Sequence, residues 1–274
     1  MYVGKSIRLR RIFSEKTGRT VIVPLDHGVT IGPVNGISKI DNCIEKVLKG
    51  GANGVILHKG MINQAVPFFN GHNSVIIHMS ASTNIGNNLM NKVSVCSVQE
   101  AICIGADAVS IHINFGSDFE HEQIKEFAKI SKECYMYGIP LMVMAYVRGK
   151  TIINEYDAKK VAHATRIAAE LGADFVKCDY TGDPESFSYV IEGCHIPVVI
   201  AGGNIKESTK DLIYMVYDAI KTGAAGISIG RNIFEFKYPE LLTKVLVKLV
   251  HEDLEPENAI IELNSMILEQ ERYK

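Results

Sequence analysis

Gly51-Ala52-Asn53-Gly54-Val55-Ile56-Leu57-His58 returns in altered form at three later places. Gly105-Ala106-Asp107-Ala108-Val109 runs into Ser110-Ile111-His112. Gly172-Ala173-Asp174-Phe175-Val176 runs into Lys177-Cys178-Asp179, and Gly223-Ala224-Ala225-Gly226-Ile227 into Ser228-Ile229-Gly230. In each, a helical pattern meets a glycine and a short, mostly apolar run follows. Glycine suits the left-handed position that closes a helix, and the run reads as a buried parallel strand. Four further apolar runs, at 20–25, 74–79, 139–146 and 196–201, lie between the repeats. Interleaving gives eight strands with helical segments in most of the gaps. The clearest helix is 157–171, where Val161, Ala164, Ile167, Ala168 and Leu171 fall on one face. Such alternation predicts an α/β fold, a (β/α)8 TIM barrel, in preference to a doubly wound open sheet.

The length agrees: 274 residues, against about 250 for a typical barrel. There is no Pro/Ser-rich linker or low-complexity tract, so residues 1–274 read as one domain. Residues 1–19 lead into the first strand. Residues 255–272 read as an additional C-terminal helix with Ile260, Leu263, Ile267 and Leu268 on one side, fit for a lid, a packing helix or a subunit contact. Hydrophobic residues make up 47% and charged residues 22%, an ordinary globular balance that can bury a large core. A net charge of −2 and the lack of a basic run argue against a nucleic-acid surface. The apolar runs are too short to span a bilayer, and residues 1–13 lack a signal-peptide core. Six scattered cysteines without a C-x-x-C pair read as reduced thiols of a cytoplasmic protein.

A barrel keeps its chemistry at the C-terminal ends of its strands, and here those ends are polar: Asp26-His27-Gly28, His58-Lys59-Gly60, His78-Met79-Ser80, His112-Ile113-Asn114, Tyr146-Val147-Arg148-Gly149-Lys150, Lys177-Cys178-Asp179-Tyr180, Gly202-Gly203-Asn204 and Gly230-Arg231-Asn232. The last two pair best. A glycine pair frees backbone N–H groups for a phosphate, and Gly230-Arg231 before a helix start at Asn232 adds donors, a dipole and a fixed charge. The loops after strands 7 and 8 are the frequent phosphate site of this fold; the plainer reading is that these glycines only make tight turns.

Side chains alternate along a strand, so Phe175, Lys177 and Asp179 share a face. The repeats set Lys177 level with Ile56, Ser110 and Ser228. An inward lysine there loses hydration, which lowers its pKa and makes it a nucleophile toward a carbonyl. A structural salt bridge is the plainer alternative. Tyr146 and Asp26 can reach the barrel centre to move the protons that such chemistry needs, although each could instead serve only a local hydrogen bond or turn. His27, His58, His78 and His112 form a rival set that could bind Zn²⁺, but no metal-ligand spacing supports it. A non-catalytic phosphosugar-binding protein is the third possibility.

Taken together, Val23-Pro24-Leu25-Asp26-His27-Gly28, Tyr146-Val147-Arg148-Gly149-Lys150, Val176-Lys177, Tyr180-Thr181-Gly182-Asp183, Ala201-Gly202-Gly203 and Gly230-Arg231-Asn232-Ile233-Phe234 resemble the archaeal-type class I aldolase family. That family includes fructose-bisphosphate aldolases and 2-amino-3,7-dideoxy-D-threo-hept-6-ulosonate synthases. The likeness runs over residues 4–251. The opening Gly4-Lys5-Ser6-Ile7-Arg8-Leu9-Arg10-Arg11 and His78-Met79-Ser80-Ala81-Ser82-Thr83 lean toward relatives that make aminohydroxybenzoate precursors from aspartate semialdehyde and a triose phosphate.

The resemblance implies a class I aldolase that joins or cleaves a C–C bond between a phosphorylated ketone (dihydroxyacetone phosphate or a deoxy-ketohexose phosphate) and an aldehyde. It implies no cofactor, no metal, and a homo-oligomer. Lys177 would form the Schiff base, Tyr146 would donate a proton and Asp26 would relay one. His27, Arg148, Gly202, Gly203, Gly230 and Arg231 would hold the substrate and its phosphate. Three departures stand out: Val147 and Asn204-Ile205 where proline is common, and Cys178-Asp179 where smaller or uncharged residues are expected. The Asp179 carboxylate would bias the choice of acceptor.

Overall fold

The computed structural model describes residues 3–203 and 208–272; Asn204 and Ile205 lie outside the described residues. Strands β1 (Thr20–Pro24), β2 (Gly54–Leu57), β3 (Ser74–His78), β6 (Ala108–Phe115), β7 (Leu141–Val147), β8 (Phe175–Cys178), β9 (Val198–Ala201) and β10 (Gly226–Ser228) close into a parallel barrel in the order β1-β10-β9-β8-β7-β6-β3-β2. A short antiparallel hairpin, β4 (Ser80–Ala81) and β5 (Val93–Ser94), rises after β3, where the sequence suggests nothing but a connection. The strands expected at 139 and 196 start two residues later, after Pro140 and Pro197. These prolines offer carbonyls to Val109 and Val176 but have no N–H for the ladder.

The repeat has a structural basis. Gly51, Gly105, Gly172 and Gly223 all have φ between +92° and +114°, a region L side chains rarely adopt. The residue two positions on then caps the preceding strand: the Asn53 carboxamide oxygen accepts from the Val21 N–H, Asp107 from Val75 and Asp174 from Leu141. Ala225, in the fourth repeat, has no oxygen to do this. The two aspartates also hold the N-terminal helix Val3–Ile12, through Lys5–Asp174 at 2.8 Å and Arg11–Asp107 at 2.9 Å. That helix closes the bottom of the barrel, with Leu9, Ile12 and Phe13 packed against an interior of Ile22, Ile56, Ile76, Met142 and Phe175.

The helix Ala158–Glu170 buries Val161, Ala164 and Ala168 as expected, but Ile167 is only half-buried and Leu171, past the helix end, is 38% exposed. Asp157 caps the start by accepting from the Lys160 N–H. The C-terminal helix Pro256–Arg272 packs along the outer helices Thr209–Thr222 and Pro239–Glu252, so it is no lid over the mouth. Leu263 is buried there, but Leu268 is 58% exposed and falls off the packed face. Among the described residues, no helix is long and apolar enough to cross a membrane.

Candidate active site

The inward face of the barrel changes character along its height. Ile22, Ile56, Ile76, Ala108, Met142 and Phe175 fill the lower part. Above Phe175 on the same face of β8 stands Lys177, paired in register with Met144 on β7 and Val199 on β9. Lys177 is 6% exposed and Asp179 4%. Burial pushes the Lys177 ammonium down to about 8, against the pull of Asp26 and Asp179 and with the help of Arg148 and Arg231.

Asp26 follows β1 and is enclosed by the histidines. Its carboxylate lies 3.6 Å from His27 Nδ1 and 3.7 Å from His78 Nε2. Burial alone would raise its pKa, but His78, His27 and Lys177 hold it well below the ordinary carboxylate range. Asp26 is therefore an ionised base.

Tyr146 is its counterpart. Burial, with Asp179 nearby, pushes the phenol far above its usual value, so it stays protonated. Its ring sits 4.8 Å from the His112 ring, centroid to centroid, and under the Arg148 guanidinium. Arg148 is held in turn by Glu155 at 3.3 Å.

At the ends of β9 and β10 the loops are knitted together. Arg231 Nη2 donates to the Gly203 carbonyl at 3.0 Å and Asn232 Nδ2 to the Gly202 carbonyl at 3.2 Å. A methyl at Gly230 would lie 2.6 Å from His27 Cε1 and 2.7 Å from the Pro24 carbonyl oxygen. Glycine here permits close packing as well as a turn. The helix after Gly230 begins at Arg231, not Asn232, and spans one turn to Phe234. Its dipole is correspondingly small, so the fixed positive charge at this end of the barrel is that of the Arg231 guanidinium.

His27, Tyr146, Arg148, Lys177, Gly202, Gly203, Gly230 and Arg231 all border one cavity of about 110 Å³, together with Asp179, Glu155, Tyr156 and Ser228. Of the candidates from the sequence, Asp26, His58, His78 and His112 do not border this cavity, although Asp26 interacts electrostatically with Lys177. The remaining histidines are committed locally. His78 Nδ1 bonds Ser110 Oγ at 2.9 Å and His112 Nε2 bonds Asn114 Oδ1 at 2.9 Å. Among the described residues no three His, Cys, Asp or Glu side chains are placed to share a metal ion.

Residues 20–236 match the model of the DeoC/LacD family of aldolases. The chain belongs to that aldolase family. The aldolase is 42% identical over 266 residues to 2-amino-3,7-dideoxy-D-threo-hept-6-ulosonate synthase 1 of Archaeoglobus fulgidus, covering 97% of this chain and 98% of that one. It is 36% identical to the 2-amino-4,5-dihydroxy-6-oxo-7-(phosphonooxy)heptanoate synthase of Streptomyces griseus, over 90% of both. Among solved structures it is similar to a Schiff-base-forming fructose-1,6-bisphosphate aldolase, with 31% identity, a TM-score of 0.83, and coverage of 90% of this chain and 99% of that one. These relatives make the aldolase a class I, lyase-type enzyme.

Reading the sequence missed Glu155 and Tyr156, which line the cavity, and Lys92, which interacts electrostatically with Asp26 and Arg148. Glu155 and Tyr156 come from the loop after β7, and Lys92 from the hairpin above β3. None lies in a periodic run or at a strand end, so no local pattern marks them.

Proposed function

We propose that this aldolase joins a ketone donor to aspartate semialdehyde through an imine on Lys177, with the phosphate seated at Gly202, Gly203, Gly230 and Arg231. A buried lysine with a lowered pKa that shares one cavity with a protonated Tyr146 and interacts with an ionised Asp26 carries this reading. The neutral amine adds to the ketone carbon, and loss of water leaves an iminium that acts as an electron sink. A base at Asp26 takes the proton from the neighbouring carbon, and the resulting enamine attacks the aldehyde. Tyr146 donates a proton to the alkoxide that forms, and water releases the product from Lys177.

The acceptor follows from the products named for the relatives. Both carry a carboxylate at C1, an amine at C2, hydroxyls at C4 and C5 and a ketone at C6. An aldol disconnection between C4 and C5 leaves the same four-carbon amino-acid aldehyde in both. The two products differ only on the donor side, at C7. Aspartate semialdehyde is therefore the acceptor. The 7-phosphonooxy product calls for dihydroxyacetone phosphate as donor, whereas the 7-deoxy product calls for a three-carbon unit cleaved from a larger ketose whose phosphate stays on the leaving fragment, such as a deoxy-ketohexose phosphate. The same residues would also serve fructose 1,6-bisphosphate cleavage, which the solved-structure relative favours. We place the enzyme in the cytoplasm, where reduced cysteines are stable, as one domain that assembles with its own copies.

The test is borohydride reduction in the presence of dihydroxyacetone phosphate, followed by peptide mass spectrometry. A reduced adduct on the Lys177 peptide, absent in Lys177→Met, is the expected result. No adduct with any phosphorylated ketone would sink the proposal. Turnover of fructose 1,6-bisphosphate outpacing that with aspartate semialdehyde would assign the alternative substrate.

A further inference from the structure

The hairpin above β3 places a second cation at the mouth. Lys92 is half-buried and donates to Ser82 Oγ at 2.6 Å. It interacts electrostatically with Asp26 and Arg148, and with His58 and His78 at the ends of β2 and β3 and His112 within β6, which runs on to Phe115. Among the described residues it has no carboxylate within ion-pair reach. The acid that acts on it, Asp26, lies beyond contact and also faces His27, His78 and Lys177. Burial lowers the Lys92 ammonium to about 8, with Arg148 adding to the effect.

A cation held partly out of water with no carboxylate in direct contact costs stability, even with Asp26 attracting it from farther off, and the hairpin holds it there. Ser80 and Ala81 pair with Ser94 and Val93. The Met90 carbonyl accepts from Asn114 Nδ2 at 3.0 Å and Gln123 Nε2 at 2.6 Å, and the Val95 N–H donates to the Met79 carbonyl. The arm carrying Lys92 is therefore fixed before any ligand arrives.

Its position around the ring decides what it meets. In the barrel order, β9 and β10, which hold the phosphate loops, stand opposite β3 and β6, and β8 with Lys177 lies between. A donor anchored by its phosphate at Arg231 and bound to Lys177 extends its reacting carbon toward the side of His58, His78 and His112. The acceptor aldehyde approaches there, under Lys92. We propose that Lys92 binds the carboxylate of the incoming amino-acid aldehyde and selects acceptors that carry an anionic end. This rests on the aldol reading above.

The experiment compares wild type, Lys92→Met and Lys92→Arg. Each is assayed with dihydroxyacetone phosphate and three acceptors: aspartate semialdehyde, propanal and glyceraldehyde 3-phosphate. In Lys92→Met, kcat/KM for aspartate semialdehyde relative to propanal should fall roughly 10- to 100-fold, the size of a lost charge-assisted hydrogen bond. The fall should lie chiefly in KM, the borohydride adduct on Lys177 should persist, and Lys92→Arg should restore part of the preference. An unchanged ratio with the adduct intact would overturn the role of Lys92 alone. A selective loss with glyceraldehyde 3-phosphate instead would overturn the carboxylate assignment. Absence of the adduct in wild type would overturn the aldol reading beneath it.

Discussion

The Arg148 guanidinium covers the face of the Tyr146 ring, its central carbon 4.1 Å from the ring centroid. With the His112 ring 4.8 Å away, Tyr146 is clamped and its hydroxyl is fixed in the mouth. On the proposed mechanism this phenol serves proton transfer to the substrate, while the attack of Lys177 does not require it. Tyr146→Phe should keep the borohydride adduct with dihydroxyacetone phosphate yet lose about 10²- to 10⁴-fold in turnover. Trapping and steady-state rates on the same preparation check this, and loss of the adduct would move Tyr146 to an earlier step.

The rate of imine formation should rise with pH to a plateau above about 8, following the neutral fraction of Lys177. Its neighbours set the direction of further shifts. Arg148 lowers the Lys177 pKa, so Arg148→Met should move the midpoint to higher pH. Asp26 raises it, so Asp26→Asn should move the midpoint lower. Single-turnover trapping across a pH series reads both, and shifts of opposite sign would refute the electrostatic account.

The same burial makes Lys177 a stability cost. Its pKa is about 8 in the fold against 10.5 in the unfolded chain. Between those values the unfolded state binds more protons, so stability rises as pH climbs through that window. Lys177→Met removes the charge and should stabilise the protein at pH 7 by up to about 3 kcal/mol. The gain should fade toward pH 10.5. Urea titrations of both proteins at several pH values test it. A variant less stable at pH 7 would show that Asp26 and Asp179 gain more from Lys177 than its burial costs.

Asp107 serves two partners, the Val75 N–H and Arg11. Asp107→Ala should cost about 2–3 kcal/mol, because it leaves a buried N–H unsatisfied as well as breaking the ion pair. Asp107→Asn should cost about 1 kcal/mol or less, since it keeps an acceptor, and Asn53 already does this duty in the first repeat. Denaturant unfolding separates the two, and equal losses would mean that the ion pair dominates.

Gly230→Ala would force a methyl against His27 and the Pro24 carbonyl. Backbone cannot yield as a side-chain tip can, so a loss of roughly 1–3 kcal/mol is expected. A raised KM for the phosphorylated donor should accompany it. Thermal melts and donor titrations check both; an unchanged KM would separate the loop from phosphate binding.

The barrel was legible in one dimension, because glycine-closed helices and buried apolar runs are local patterns. Alternation along β8 was enough to turn Lys177 inward with Phe175, and strand-end position marked Tyr146, Asp26 and the glycine loops as neighbours. The basic N-terminus and the repeat aspartates were both legible, but not that they pair, since Lys5 and Asp174 meet only when the barrel closes. The electrostatics of the mouth arise only from the folded arrangement. The state of Asp26 depends on three histidines and a lysine drawn from four different strand ends. Lys92 emerges from a connection with no periodic signal, and its position opposite the phosphate loops exists only once the ring has closed. Charge interactions depend on distance in space, and that distance is set by the circular order of strands far apart in the chain.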